Sequence, residues 1–179
     1  MDFSFYGHPV PPEEATGDLR EMYDRIDAML GSVPPHIQIH ATHMPDAMES
    51  YIQTMQMTRN HPQIPLEWFA LLRLSVARRE DFPYCRTLNE TMLHGMGYDD
   101  EVLEAFYAGR TDAPLDANLR LLYDKALKSL YDSSHFDQRD FDALYAAAFS
   151  DTTIYESIEY ATWFSGVARK LNVYRVKSS

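Results

Sequence analysis

Between Pro65 and Ala77 the chain carries Trp68, Phe69, Leu71, Leu72, Leu74, Val76 and Ala77. On a helix these side chains cover most of the circumference. A helix with no broad polar face cannot lie on a surface, so it has to sit centrally with other elements wrapped around it. Pro65 suits the first position of such a helix, because its missing N–H is unpaired there in any case. This requirement shapes the rest of the fold, since the remaining chain has to supply apolar faces that cover it.

The remaining chain supplies those faces at helical spacing. Leu19, Met22, Tyr23, Ile26, Met29 and Leu30 form one stripe within Glu13–Leu30, which Gly31 ends. Val33-Pro34-Pro35 reads as a connector. Pro45 opens a helix with Met48, Tyr51, Ile52 and Met55 on one face, and Asn60 to Pro65 is a proline-marked loop. Asp99 or Asp100 caps a short helix with Val102, Leu103, Phe106 and Tyr107, closed by Gly109. Pro114 begins a helix bearing Leu119, Leu122, Tyr123, Ala126, Leu127 and Leu130. Asp137 starts one with Phe141, Leu144, Tyr145 and Ala148. Asp151 starts the last, where Ile154, Ile158, Ala161, Ser165 and Ala168 lie along one side and let another helix approach closely. Alternating apolar stretches are short and broken by proline, so no strand is expected. The fold class is all-α. Residues 1–12, with Pro9, Pro11 and Pro12, read as an extended arm whose Phe3, Phe5 and Tyr6 pack on the body or on a neighbouring subunit. Residues 13–179 read as a single helical domain.

Charge excludes some partners. Sixteen Lys and Arg against 27 Asp and Glu give a net charge of −11, which argues against nucleic acid and anionic membranes. One cysteine among 179 residues cannot build a disulfide scaffold and suits a reducing cytoplasm. The N-terminus lacks the basic and apolar regions of a signal peptide. No apolar run approaches the roughly 18 residues of a membrane span.

That cysteine, Cys85, lies in Ser75–Gly97, SVARREDFPYCRTLNETMLHGMG. The stretch reads as a helix end, a tight corner and a second helix. Asp81 is positioned to cap the second helix, Phe82 and Pro83 to enter its first turn, and Gly95 or Gly97 to end it. Cys85 then sits one turn in, where backbone N–H groups and the helix dipole favour a thiolate. Glu80 and Asp81 oppose this, and Arg78 and Arg86 offset them. Asn89 follows one turn later on the same face, which Leu88, Met92 and Met96 continue, so the thiol is expected to be sheltered. Arg78-Arg79-Glu80-Asp81 reads as a solvated corner.

FPYCRTLN resembles the CxxC-xxx-His signature of the AhpD-like alkylhydroperoxidases, in the carboxymuconolactone decarboxylase superfamily. GSVPPHIQIHATHMPDAMESY is similar to the opening of its peroxidase-related branch, MGYDDEVLEAF to the capped helix after the cysteine helix, and SDTTIYESIEYATWFS to its C-terminal helix entrance. The resemblance implies a bundle of about seven to nine helices, a pocket beside the cysteine helix, often at a subunit interface, and a homo-oligomer. Phe82 stands at the first cysteine position and Cys85 at the second. Asn89 stands at the histidine position. The glutamate of the preceding helix falls at or near Ala70, with Glu67 one turn earlier. Two-cysteine peroxide reduction needs a resolving thiol and a proton relay. One sulfur cannot close an intramolecular disulfide, and an amide cannot carry a proton. That activity is therefore expected to be lost or impaired.

Two functional classes follow. In the first the chain is an enzyme, with Cys85, Asn89 and Tyr84 catalytic and Phe82, Glu67, Trp68 and Met92 lining a pocket for a small organic substrate, or with Cys85 as a single-thiol reductant. In the second it is a non-catalytic oligomeric binding protein on the same scaffold. A buried small hydrophobe remains the plain alternative for Cys85, and helix packing the alternative for Tyr84 and Asn89. The nine methionines and twelve tyrosines read first as core packing. His36, His40 and His43 share a face if their segment is helical. The flanking prolines leave only about two turns there, so packed or surface histidines are expected. No cofactor and no metal are assigned.

Overall fold

In the computed structural model, which describes residues 6–176, nine α-helices follow in order: α1 (Gly17–Leu30), α2 (Pro35–His43), α3 (Met48–Asn60), α4 (Leu66–Arg79), α5 (Pro83–Gly95), α6 (Asp100–Tyr107), α7 (Ala117–Tyr131), α8 (Gln138–Ala146) and α9 (Asp151–Val173). Short 3-10 turns occur at Pro12–Glu14, Pro45–Ala47 and Ser133–His135. No strand occurs among the described residues. None of their helices is long and apolar enough to cross a membrane.

Several starts and stops follow the expected capping chemistry. Asp99 accepts from the Val102 N–H at 2.9 Å. Asp137 and Asp140 form a reciprocal capping box at α8, which satisfies donors that a bare helix start leaves unpaired. Other boundaries differ. The Pro34-Pro35 segment is not a connector alone, because Pro35 occupies the first turn of α2. Pro45 opens a 3-10 turn ahead of α3 rather than α3 itself. α7 starts at Ala117, not Pro114, because the Asp116 carboxylate accepts from the Leu119 N–H at 2.8 Å and sets the first turn there.

The chain divides into two compact units, one drawn from Met1–Met57 with Lys170–Ser179 and the other comprising Thr58–Arg169. In the first, Ala15, Tyr23, Ile26, Ile37, Ala41, Met48 and Ile52 form the core. The described part of the arm lies on this unit. The Val10 N–H donates to Thr42 Oγ1 at 2.9 Å, the Tyr23 hydroxyl donates to the Val10 carbonyl at 2.8 Å, and the Tyr6 N–H donates to the Tyr174 carbonyl at 2.8 Å. The Tyr6 side chain does not pack on the body as expected and is exposed, held through its backbone, and Phe3 and Phe5 fall outside the described residues. Gly7 has φ +94, and a Cβ there would meet the Tyr174 ring at 2.6 Å, so both backbone and space demand glycine.

In the second unit α4 is central, as its composition requires. Trp68, Phe69, Ala70, Leu71, Leu72, Leu74, Val76 and Ala77 are all buried. α4 packs against α5 and α7, and α7 against α8. His61 secures the loop before α4. Its Nδ1 accepts from the N–H groups of Gln63 and Ile64 at 3.1 and 2.9 Å, and its Nε2–H donates to Glu156 at 2.9 Å.

Candidate active site around Cys85

The corner between α4 and α5 is built differently from its sequence reading. Asp81 does not cap α5. It adopts φ +55, while the Phe82 N–H donates to the Ala77 carbonyl at 2.8 Å. This is the left-handed closure of α4, a role usually taken by glycine. Phe82 stands at the cap position of α5 without a side-chain bond, and Pro83 is its first helical residue. Gly97, with φ +94, closes the far end of α5. Nor is the corner merely solvated. The Glu80 carboxylate accepts from Tyr131 Oη at 2.8 Å, Ser165 Oγ at 3.1 Å and Arg169 Nε at 2.7 Å. Burial acts to raise the Glu80 pKa, but Arg169, Tyr131 and Ser165 outweigh it and hold the carboxyl below its ordinary value.

Cys85 sits in the first turn of α5 and is 3% exposed. Burial pushes its thiol up to about 12, against a smaller downward pull from the Arg73 cation. An uncharged, enclosed thiol is a poor nucleophile and a poor peroxide reductant. Asn89, which the sequence resemblance sets at the histidine position, is 1% exposed and bonded through both of its polar side-chain atoms. Its Nδ2 donates to the Cys85 carbonyl at 2.7 Å, and its Oδ1 accepts from Arg73 Nε at 2.6 Å.

The other site candidates scatter. Tyr84 and Phe82 are buried beside Cys85 in sequence, and Ala70, at or near which the sequence resemblance sets the glutamate, is fully buried. Trp68 is enclosed in the core, its indole Nε1–H donating to the Leu119 carbonyl at 3.0 Å. Glu67 is half-buried, and its charge helps to raise the Tyr98 pKa, though less than burial does. Leu88 and Met92 do not continue the sheltered face, since both are exposed. Among the described residues no group of three His, Cys, Asp or Glu side chains is placed to hold a metal. His40 packs on Tyr51 at 5.2 Å between ring centroids, and His43 Nε2–H donates to the Gly7 carbonyl at 2.9 Å.

The residue absent from the sequence-level site is Arg73, which joins three helices within the second unit. From α4 its guanidinium donates to Asn89 on α5, to the Tyr160 hydroxyl on α9 at 2.6 Å and to Met92 Sδ on α5 at 3.1 Å. No carboxylate of the described residues forms an ion pair with it. The signal was present in the sequence. A cation between Leu72 and Leu74, in a helix otherwise committed to the core, must find polar company.

No family model matches the chain, and no curated protein matches it. Solved structures do, and they define a class of fold: the helices are arranged as in the AhpD core of the peroxidase-related proteins. One such structure is an alkylhydroperoxidase AhpD core, an uncharacterized peroxidase-related protein from Ralstonia eutropha JMP134. It has a TM-score of 0.76 and 18% identity, over 96% of this chain and 91% of that one. A second, an uncharacterized peroxidase-related protein from Silicibacter sp. TM1040, has a TM-score of 0.75 and 18% identity, over 97% and 88%.

Proposed function

We propose that this chain recognises a small organic molecule on an AhpD-like scaffold without thiol redox chemistry, the two-cysteine peroxidase cycle having been lost. The state of Cys85 carries the reading: the sulfur is buried, its pKa is raised to about 12, and it is the only cysteine. Peroxide reduction needs a thiolate to attack the peroxide oxygen and a second thiol to displace hydroxide from the resulting sulfenic acid. Neither requirement is met. Asn89 cannot serve as a proton relay; instead its Oδ1 accepts from Arg73 and ties α4 to α5, while its Nδ2 donates to the Cys85 carbonyl within α5. A single reduced thiol fits the cytoplasm as its compartment.

Hydroperoxide consumption with a dithiol reductant tests this. The unmodified chain and Cys85→Ala are expected to consume cumene hydroperoxide at the same rate, no faster than buffer with reductant. Saturable turnover that disappears in Cys85→Ala would refute it.

A further inference from the structure

The cluster around Arg73 is short of hydrogen-bond acceptors. The guanidinium offers five N–H donors. Three are met, by Asn89 Oδ1, the Tyr160 hydroxyl oxygen and the weak acceptor Met92 Sδ. The Tyr160 oxygen receives a bond from Arg73, which leaves its own O–H to donate. Tyr160 is 3% exposed, and no acceptor among the described residues meets that O–H. Two guanidinium N–H groups, one hydroxyl proton and one positive charge therefore meet no acceptor and no counter-charge among the described residues. This happens in a chain of net charge −11, where carboxylates are plentiful. A half-buried cation without its anion is costly unless something supplies one.

The surroundings are apolar and reachable. Met92 and Leu88, one turn apart on α5, are 37% and 36% exposed. The half-buried Trp163 lies against Tyr160, with ring centroids 5.5 Å apart. A ligand that satisfies this place has two acceptor oxygens sharing a negative charge and a flat or aliphatic body beside them. A carboxylate matches a guanidinium edge in this way, with two parallel charge-assisted bonds.

From this unmet donor set we infer that Arg73 and Tyr160 form a recognition site for a small organic carboxylate, whose apolar body rests on Met92, Leu88 and Trp163. The inference deepens the function proposed above and rests on it for the kind of molecule bound. The two remain separable, because hydroperoxide turnover reads Cys85 and carboxylate titration reads Arg73.

The test is titration of the full chain with benzoate, followed by calorimetry and by tryptophan fluorescence, to which Trp68 and Trp163 both contribute. Benzamide serves as the uncharged isostere, and inorganic phosphate as an anion without an apolar body. Benzoate is expected to saturate at one per chain, with benzamide and phosphate each at least tenfold weaker. Arg73→Lys, which keeps the charge but not the fork, is expected to weaken benzoate at least tenfold. Tyr160→Phe is expected to weaken it severalfold with the melting temperature little changed. The inference is overturned if benzoate does not saturate, if benzamide or phosphate binds as well, or if folded Arg73→Lys binds like the unmodified chain. Should Arg73→Lys not fold, the comparison of the three probes on the unmodified chain decides.

Discussion

The reactivity of Cys85 can be worked out and measured. Its pKa stands at about 12 where an unperturbed thiol has 9.0. At pH 8 roughly one thiol in ten is ionised in the unperturbed case, and roughly one in ten thousand here, a deficit of about a thousandfold. The rarer thiolate is intrinsically the stronger nucleophile. With a Brønsted coefficient of about 0.45, three units of basicity return a factor of roughly 20. Ionisation therefore wins, leaving attack on a disulfide reagent about 50-fold slower than for free cysteine. Enclosure of the sulfur, 3% exposed, slows it further, because the reagent must wait for local opening. The assay is the rate of reaction with 5,5′-dithiobis(2-nitrobenzoate) between pH 6 and 10.5. The expected native rate is at least ~50-fold below that of free cysteine at pH 8, rising with pH without levelling off across the range. In denaturant one thiol per chain should appear rapidly, since the sequence holds one cysteine. An inflection between pH 7 and 9 in the native protein, or a native rate within about fivefold of free cysteine, would refute the reasoning.

Four further outcomes are expected. Burial holds the His40 imidazole down at about 4, helped by the Lys170 charge, so the unfolded chain takes up this proton at higher pH than the folded one. Stability should therefore be intact above about pH 6.5 and fall by up to ~3 kcal/mol as pH drops to 4, flattening below; urea unfolding of His40→Leu should lack this slope. Ala148 closes α8 with φ +66, the following Phe149 N–H reaching the Leu144 carbonyl at 3.2 Å, and Ala148→Gly should stabilise by about 0.5–1 kcal/mol, read as a rise of ~1–4 °C in melting temperature. Gly7→Ala should destabilise by about 1–3 kcal/mol, because its Cβ would meet the Tyr174 ring at 2.6 Å on a left-handed backbone. Asp81→Val, with a β-branched side chain at φ +55, should lose about 1–2 kcal/mol by denaturant titration, whereas Asp81→Gly should be neutral or stabilising.

Different parts of this molecule were legible to different depths. The apolar content of α4 announced its central place. The 3.6-residue stripes gave α1, α7 and α9 because burial of one face is a local, periodic signal. Asp99 and Asp137 gave helix starts because a short acceptor beside unpaired N–H groups has few other uses. Asp81 misled for the same reason. An aspartate between two helices suits either the start of one or the left-handed end of the other, and only the Phe82–Ala77 hydrogen bond separates them. The candidate site was partly visible through the spacing of Cys85 and Asn89. Arg73 and Tyr160 were not visible as partners, because they are far apart in sequence and meet only when α4 and α9 are packed. Glu80 was hidden in the same way, since its partners Tyr131, Ser165 and Arg169 lie on α7 and α9.

The position of Cys85 at a helix start invites the expectation of a reactive thiol, and comparing magnitudes shows why it misleads. A helix dipole favours a nearby anion by about 0.3–1 kcal/mol, and by up to ~2 in partly buried geometries. The rise of the Cys85 pKa from 9.0 to about 12 corresponds to roughly 4 kcal/mol against the thiolate. Even the most generous dipole leaves about half of that opposition standing. The Arg73 charge already pulls the other way within that balance and does not reverse it. Its guanidinium is committed to Asn89, Tyr160 and Met92 rather than to the sulfur. A helix start makes a thiol reactive only where water or a polar partner also reaches it. In this chain Asn89 serves Arg73, the Glu80 carboxylate serves Tyr131, Ser165 and Arg169, and the sulfur is left to pack.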